Sequence, residues 1–401
     1  MRKITFIHAA DLHLDSPFSG LKNIPEHMLE QIKESTFKAF QKIINEAIRR
    51  KVDFILLAGD LYDGENRNLR TQVRFRKEME KLQQRNIEVF IIHGNHDHLD
   101  GNWIHIQQPS NVHTFSSECE VKSYVKNDVI VHLYGYSYPT QHVKNRIIEK
   151  YTKSEGAMYH IGLLHGNLEG ENEHSQYAPF SISDLVNKQF DYWALGHIHK
   201  RQELLHSPPI IYPGNIQGRH KKESGVKGCY YVELEGKHSN IEFIPTSEIV
   251  WESSLITIDE EDTFDTLHTK CQTMIQQMKE DNQRYFLEIQ IVSENSLLSY
   301  EDYSRDLLEL LQEEEEDEIN FVYPYSMKLK REIRSSSNPS PLMNMVQEYK
   351  WSNKDIDEVI QPLYKHSLGR KFLTQLSLEE REELVREAMQ LLENQLNSGG
   401  E

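Results

Sequence analysis

Short apolar runs and amphipathic stretches alternate through the first 250 residues. The runs are ITFIH (4–8), DFILLA (53–58), EVFIIH (88–93), YHIGLL (159–164) and DYWALG (191–196). Their unbroken apolar character predicts strands of a sheet buried on both faces. Between the first two runs, Ile32, Phe40, Ile43, Ile44, Ala47 and Ile48 form one face of a helix predicted over 26–50, with Pro25 at its start. A second helix is predicted over 69–85. This alternation makes the region α/β. The segments 129–136, 209–212, 229–234 and 241–245 predict further strands, enough for a second sheet packed on the first.

The pattern changes near residue 250. Residues 251–331 read as strand (254–258), helix (262–280), strand (285–292), helix (300–312) and strand (319–330), a small α+β domain. The acidic run EEEEDE (313–318) reads as a solvated turn or helix end, and SSSNPSP (335–341) as a linker. A last helix over 377–396 opens with Ser377 and Glu380 at capping-box spacing and carries Leu384, Val385, Ala388, Met389, Leu392 and Leu396 as an apolar stripe. The expected division is 1–250, 251–334 and 335–401.

Composition adds limits. A chain of 401 residues exceeds one ordinary core, and 38% apolar with 27% charged residues fits a globular protein. No stretch is long and apolar enough to predict a membrane span. The N-terminal apolar run meets His8 and Asp11 too soon for a signal-peptide core. Cys119, Cys229 and Cys271 are far apart, which argues against a disulfide framework or cysteine zinc site and for a cytoplasmic chain. The net charge of −18 first argues against a nucleic-acid partner. Residues 1–250, however, hold 30 basic against 31 acidic side chains, and 251–401 hold 15 against 32. The acidity is C-terminal, so the N-terminal part retains scope for a local basic surface. Of 20 histidines, 18 precede residue 251, which is where metal or acid–base chemistry is to be sought.

Just beyond each of the five strands stands a cluster of metal-ligand residues: Asp11 and His13 (DLH), Asp60 and Asp63 (GDLYD), Asn95, His96 and Asp97 (GNHD), His165 (HG), and His197 and His199 (GHIH). Singly, each has a bland reading as a turn cap, a common turn dipeptide or a surface histidine. Together, at C-terminal strand ends that converge on one crevice, they predict one metal site. The mixed Asp, Asn and His set suits Mn²⁺, Fe²⁺ or Zn²⁺ better than Ca²⁺ or Mg²⁺.

The ordered motifs resemble the calcineurin-like metallophosphoesterase superfamily. The phrases FIHAADLHLD, LLAGDLYD, IIHGNHD, ALGHIHK and YPGNIQGRH look more narrowly like its SbcD-type DNA-repair exonuclease subunits, in the YhaO-type branch. The resemblance implies a two-sheet sandwich flanked by helices, then an α+β capping domain and a helical C-terminal region. It implies two metal ions, most readily Mn²⁺, with Asp11, His13 and His199 on one, Asn95, His165 and His197 on the other, and Asp60 bridging. Two such cations roughly 3.5–4 Å apart clamp a phosphodiester and stabilise both its attacking and leaving oxygens. His96 is then the candidate to stabilise the transition state or to protonate the leaving oxygen, with Asp97 orienting its ring. Asp63, where archaeal and eukaryotic relatives carry histidine, is assigned to site support.

The substrate is less directly written. Arg219 and His220, followed by Lys221 and Lys222, border the last motif and are candidates for backbone phosphates, or else form an exposed basic turn. Lys328, Lys330 and Arg331 make the only basic cluster of 251–331. The resemblance implies Mn²⁺-dependent DNA exonuclease, with endonuclease activity as an extension, an SMC-like coiled-coil ATPase as partner of the C-terminal helices, and a homodimer. Two alternatives stand beside it: a phosphoesterase for small phosphodiesters or phosphoproteins, and a non-catalytic scaffold with a vestigial metal site.

Overall fold

The structure is a computed structural model. It describes residues 3–331 except 15, 17, 19–23, 65–67, 102–103, 105, 171–176, 260 and 294–297, and beyond them 346, 349, 351–365, 376, 381, 384–386, 388–389 and 392. The chain divides into two compact units, Met1–Lys330 and Arg331–Glu401.

In the first unit, β1 (Lys3–Ala9), α1 (Glu26–Arg50), β2 (Phe54–Ala58), α2 (Leu69–Gln83) and β3 (Glu88–Ile92) wind as parallel strands with helical crossovers. They are followed by β4 (Val112–Thr114), β5 (Glu120–Lys126), β6 (Val129–Gly135), β7 (Tyr159–His165), α3 (Ile182–Asn187), β8 (Tyr192–Gly196), β9 (Gln202–His206), β10 (Pro209–Tyr212), β11 (Gly228–Glu235) and β12 (His238–Pro245). Two six-stranded mixed sheets result, in the orders β12-β11-β1-β2-β3-β4 and β5-β6-β7-β8-β10-β9. The five apolar strands are therefore shared between the sheets, three in one and two in the other.

Alternation along β1 explains why both faces are apolar. Ile4 and Phe6 point into the inter-sheet core with Phe54, Leu56, Ile161 and Leu163, whereas Ile7 and Ala9 face Phe40, Ile43 and Ala47 of α1. On the second sheet, Tyr192 and Ala194 point inward while Trp193 and Leu195 join an outer core with Tyr151 and Phe180. The strands Glu120–Lys126 and Gln202–His206 carry no apolar run because they are the two edges of the second sheet and only partly buried.

A third sheet of β13 (Ile249–Ile258), β14 (Arg284–Ser293) and β15 (Val322–Arg331) carries α4 (Phe264–Lys279) and α5 (Leu298–Glu315). It packs on the sandwich through Trp251, Phe286, Phe321 and Tyr323, which enclose Met28 and Ile32 of α1. The acidic run is not wholly solvated: Glu315 is buried, accepts from the Val322 amide at 3.0 Å and pairs with Lys279 at 2.7 Å. Lys328 and Lys330 are held by Glu288 at 3.0 Å and Gln290 at 2.9 Å, so this basic cluster is partly engaged within its own sheet.

In the second unit, α6 (Asn353–Lys365) and Leu384, Val385, Ala388, Met389 and Leu392 line an apolar groove with Trp351. The expected linker at 335–341 and most of the helix over 377–396, including Ser377, Glu380 and Leu396, lie outside the described residues. Among the described residues, no helix is long and apolar enough to cross a membrane.

Candidate metal centre

The loops leaving β1, β2 and β3 meet those leaving β7 and β8 because both sheets end at the same rim. The first two loops are laced by main-chain bonds, Asp11 N–H to Gly59 O at 3.1 Å and His13 N–H to Asp60 O at 3.0 Å. Four of the gathered side chains ride on left-handed backbone: Asp11 (φ 51°), His13 (φ 42°), Asp60 (φ 50°) and His197 (φ 102°). Such conformations cost on the order of 1–3 kcal/mol each for non-glycine residues, so the surrounding packing must hold them for a purpose. Two glycines supply closeness: a Cβ at Gly94 would run into the Asp60 carboxylate and the His165 ring, and one at Gly196 into the Ala58 carbonyl.

A chain of short side-chain contacts joins six of the seven residues expected to hold metal, and the His197 main chain ties in the seventh, Asp11. His13 Nε2 lies 3.1 Å from His199 Nε2 and 3.9 Å from Asp60 Oδ2. Asp60 Oδ2 lies 3.4 Å from His165 Nε2, which is 3.0 Å from Asn95 Oδ1. Asn95 Oδ1 is in turn 3.2 Å from His197 Nδ1, and the His197 amide donates to both oxygens of Asp11 at 3.1 Å. His165 Nδ1 faces the Ala58 carbonyl at 3.0 Å, which fixes that nitrogen as an N–H and turns Nε2 toward Asp60 and Asn95, the nitrogen that would give up its proton to take a cation. Ligand atoms of Asp11, His13 and His199 fall within 4.8 Å of one another, as do those of Asp11, Asp60 and His165, and those of His13, Asp63 and His96.

Burial sets the electrostatics. It holds the Asp11 carboxyl up at about 6 and pushes His13 down to about 4 and His197 down to about 3. Burial also opposes charge on Asp60, but the neighbouring His165 keeps that carboxylate ionised, well below the ordinary range. His165 is raised to about 9, since Asp60 beside it outweighs its own desolvation.

A model of the calcineurin-like phosphoesterase family matches residues 4–201. Along nearly its whole length the chain is similar to the metallophosphoesterase YhaO of Bacillus subtilis (strain 168), 40% identical over 409 residues and covering 98% of each chain. It belongs to the calcineurin-like phosphoesterases. More distant similarity links this phosphoesterase to the DNA double-strand break repair protein Mre11 of Thermoplasma acidophilum, 28% identical over 258 residues, which are 61% of this chain and 63% of that one. The Mre11 of Methanocaldococcus jannaschii is 26% identical over 268 residues, covering 61% and 66%. The family uses a dimetal site, and the donor set fits it: four imidazoles, two carboxylates and an amide oxygen, gathered through successive contacts and mostly buried.

The remaining expected residues divide. His96, its side chain 40% exposed, stands at the mouth of the phosphoesterase site, its amide bonded to Asp60 Oδ1 at 2.9 Å. The carboxylate beside its ring is not Asp97 but Asp63, whose Oδ1 lies 3.0 Å from His96 Nδ1 and raises the pKa of the imidazole. Asp97 instead turns inward, accepting from the Gly94 amide at 2.7 Å and the Leu61 amide at 3.0 Å, and meeting His93 Nδ1 at 2.8 Å. It braces the loops, and the expected orientation of His96 by Asp97 is corrected to Asp63. Arg219 does reach the site, but its side chain is 12% exposed and its guanidinium donates to Ser16 Oγ at 2.8 Å and to Asp63 at 3.4 Å. Next to it, His220 is partly exposed and Lys221 and Lys222 are exposed. Glu223, which ends the same RHKKE segment and was hidden behind its basic residues, contacts His199 Nδ1 at 2.6 Å. Its nearness in sequence to Arg219 was the only available signal.

Proposed function

We propose that this phosphoesterase is a Mn²⁺-dependent DNA phosphodiesterase, an exonuclease subunit that works in a repair complex with an SMC-like coiled-coil ATPase. The observation that carries the reading is the gathering of seven ligand-type side chains from five loops at one rim, with Asp60 within 4 Å of imidazoles on both sides. Similarity to proteins named for DNA double-strand break repair supports DNA as the substrate. The exposed Lys221 and Lys222, close in sequence to the site, supply cations for a phosphate backbone.

Asp11, His13 and His199 would hold one divalent ion, Asn95, His165 and His197 a second, and Asp60 would serve both. Bound there, the pair would neutralise the phosphodiester charge and lower the pKa of an attacking water. The chain's own residues do the rest. The Ala58 carbonyl orients the His165 ring and the Glu223 carboxylate the His199 ring before any ion arrives. His96, its pKa raised by Asp63 beside it, would give a proton at the mouth to the leaving oxygen. Residues 251–334 would act as a cap beside the cleft, since Trp251 Nε1 donates to the Gly218 carbonyl at 3.2 Å in the loop that carries Arg219.

The test is to incubate the purified chain with Mn²⁺ and end-labelled duplex DNA, with a chromogenic phosphodiester in parallel. Shortening of the DNA supports the reading. Hydrolysis of the small diester alone would move the substrate to small phosphodiesters, and no turnover of either would leave a scaffold.

A further inference from the structure

Glu223 lies in none of the sheets and none of the five motifs, yet it is 5% exposed and both its carboxylate oxygens are engaged, one of them by a site histidine. One oxygen, Oε1, meets His199 Nδ1 at 2.6 Å; the Arg219 guanidinium and His220 Nε2 approach that same oxygen at 3.5 and 3.4 Å. The other, Oε2, accepts from the Arg219 amide at 2.7 Å and from Asn215 Nδ2 at 2.9 Å. The opposite nitrogen of His199, Nε2, points into the centre, 3.1 Å from His13 Nε2.

We infer that Glu223 is a positioning residue that decides which nitrogen of His199 carries the proton, and so makes Nε2 a lone-pair donor for the cation held with Asp11 and His13. A carboxylate can only accept, so His199 Nδ1 must be an N–H, and in the neutral ring Nε2 is then bare. The two donors on Oε2, at 2.7 and 2.9 Å, are closer than the Arg219 guanidinium and His220 ring are to Oε1, at 3.5 and 3.4 Å. This difference makes the orientation of an amide in this place one-sided. In Glu223→Gln, the amide oxygen must face those donors, because an NH₂ group there would meet the Arg219 N–H and the Asn215 NH₂. The NH₂ of the new side chain therefore faces His199 Nδ1, which becomes the acceptor, and the proton moves to Nε2. Shape and loop contacts survive while the ligand nitrogen is blocked; a misplaced proton of this kind is known to disable histidine in an otherwise intact site.

The inference rests on the two-metal reading above, and its test separates the two. The tautomer is read first in metal-free protein, by long-range ¹⁵N–¹H correlation on histidine-labelled chain, with His199→Asn identifying the signal. Wild type should show Nδ1–H and Glu223→Gln should show Nε2–H. Mn²⁺ titration by calorimetry then follows. Wild type should bind two ions, whereas Glu223→Gln should keep one at wild-type affinity and bind the other about 10–100-fold more weakly. The same tautomer in both proteins, or both ions at wild-type affinity in the variant, would overturn the role. Loss of both ions together with a lowered melting temperature would also overturn it, making Glu223 a brace for the 215–223 loop. Should wild type take up no Mn²⁺, the two-metal reading fails, and the tautomer comparison still decides what Glu223 does to His199.

Discussion

His13 and His199 stand 186 positions apart in the chain, yet their Nε2 atoms face each other at 3.1 Å. One follows the first strand of the first sheet and the other follows β8 of the second. Two ring nitrogens at this distance, backed by buried Asp11 and Asp60, form a donor surface that fits a cation.

His96 should matter for turnover and not for loading. His96→Asn is expected to bind Mn²⁺ like wild type and to lose about 10²–10⁴-fold in the rate of phosphodiester hydrolysis, the usual range for removing a general acid. Asp63→Asn should lower the pKa of His96 and shift the alkaline limb of the pH–rate profile downward. An unshifted limb would detach Asp63 from His96.

Beneath the site, His8 is fully buried between the Tyr192 hydroxyl at 3.0 Å and the Leu195 carbonyl at 3.1 Å, and burial pushes it down to about 3. The folded protein therefore keeps His8 neutral while the unfolded chain protonates it below about 6.5. Stability is whole above that pH and falls as the pH drops toward 3, by about 1.4 kcal/mol per pH unit in the middle of the window. His8→Gln, which offers the same donor and acceptor without titrating, should lose less stability than wild type between pH 6.5 and 4 in urea melts. Parallel pH dependence in the two proteins would contradict this account.

Trp251 ties the third sheet to α1 and to the Arg219 loop. Trp251→Ala should destabilise the first unit by about 3–5 kcal/mol, since it removes a large buried ring from among Met28, Phe286 and Phe321. Trp251→Phe, which keeps most of the volume and loses only the bond to Gly218, should cost much less. Urea unfolding of both variants distinguishes packing from hydrogen bonding as the main contribution.

Removing residues 335–401 should leave Mn²⁺-dependent hydrolysis intact and abolish association with the proposed SMC-like ATPase. The apolar groove around Trp351 and Ile356 belongs to a unit separate from the metal centre. Co-purification of the truncated chain with the ATPase at wild-type yield would remove this region from the interface.

Much of the centre was legible because its elements are strong local signals. Continuous apolar runs such as FILLA mark buried strands, and each ligand cluster begins where such a run stops. The division of the five strands between two sheets was not legible, because a strand buried on both faces reads the same in either. Asp97 was paired with His96 through adjacency, but neighbouring side chains of a loop diverge. Asp97 turns in to the Gly94 amide, and Asp63 arrives beside His96 from another loop. Glu315 and Glu223 were hidden for a common reason: each lies in a charge run, and the run's average conceals the one member that is buried.

The most direct test of the central claim is the number of Mn²⁺ ions retained per chain after extensive buffer exchange, measured by mass spectrometry for wild type and Asp60→Asn. The account predicts two ions in wild type and neither held tightly once the shared carboxylate is gone. A single ion in wild type, or both ions still present in Asp60→Asn, would contradict it.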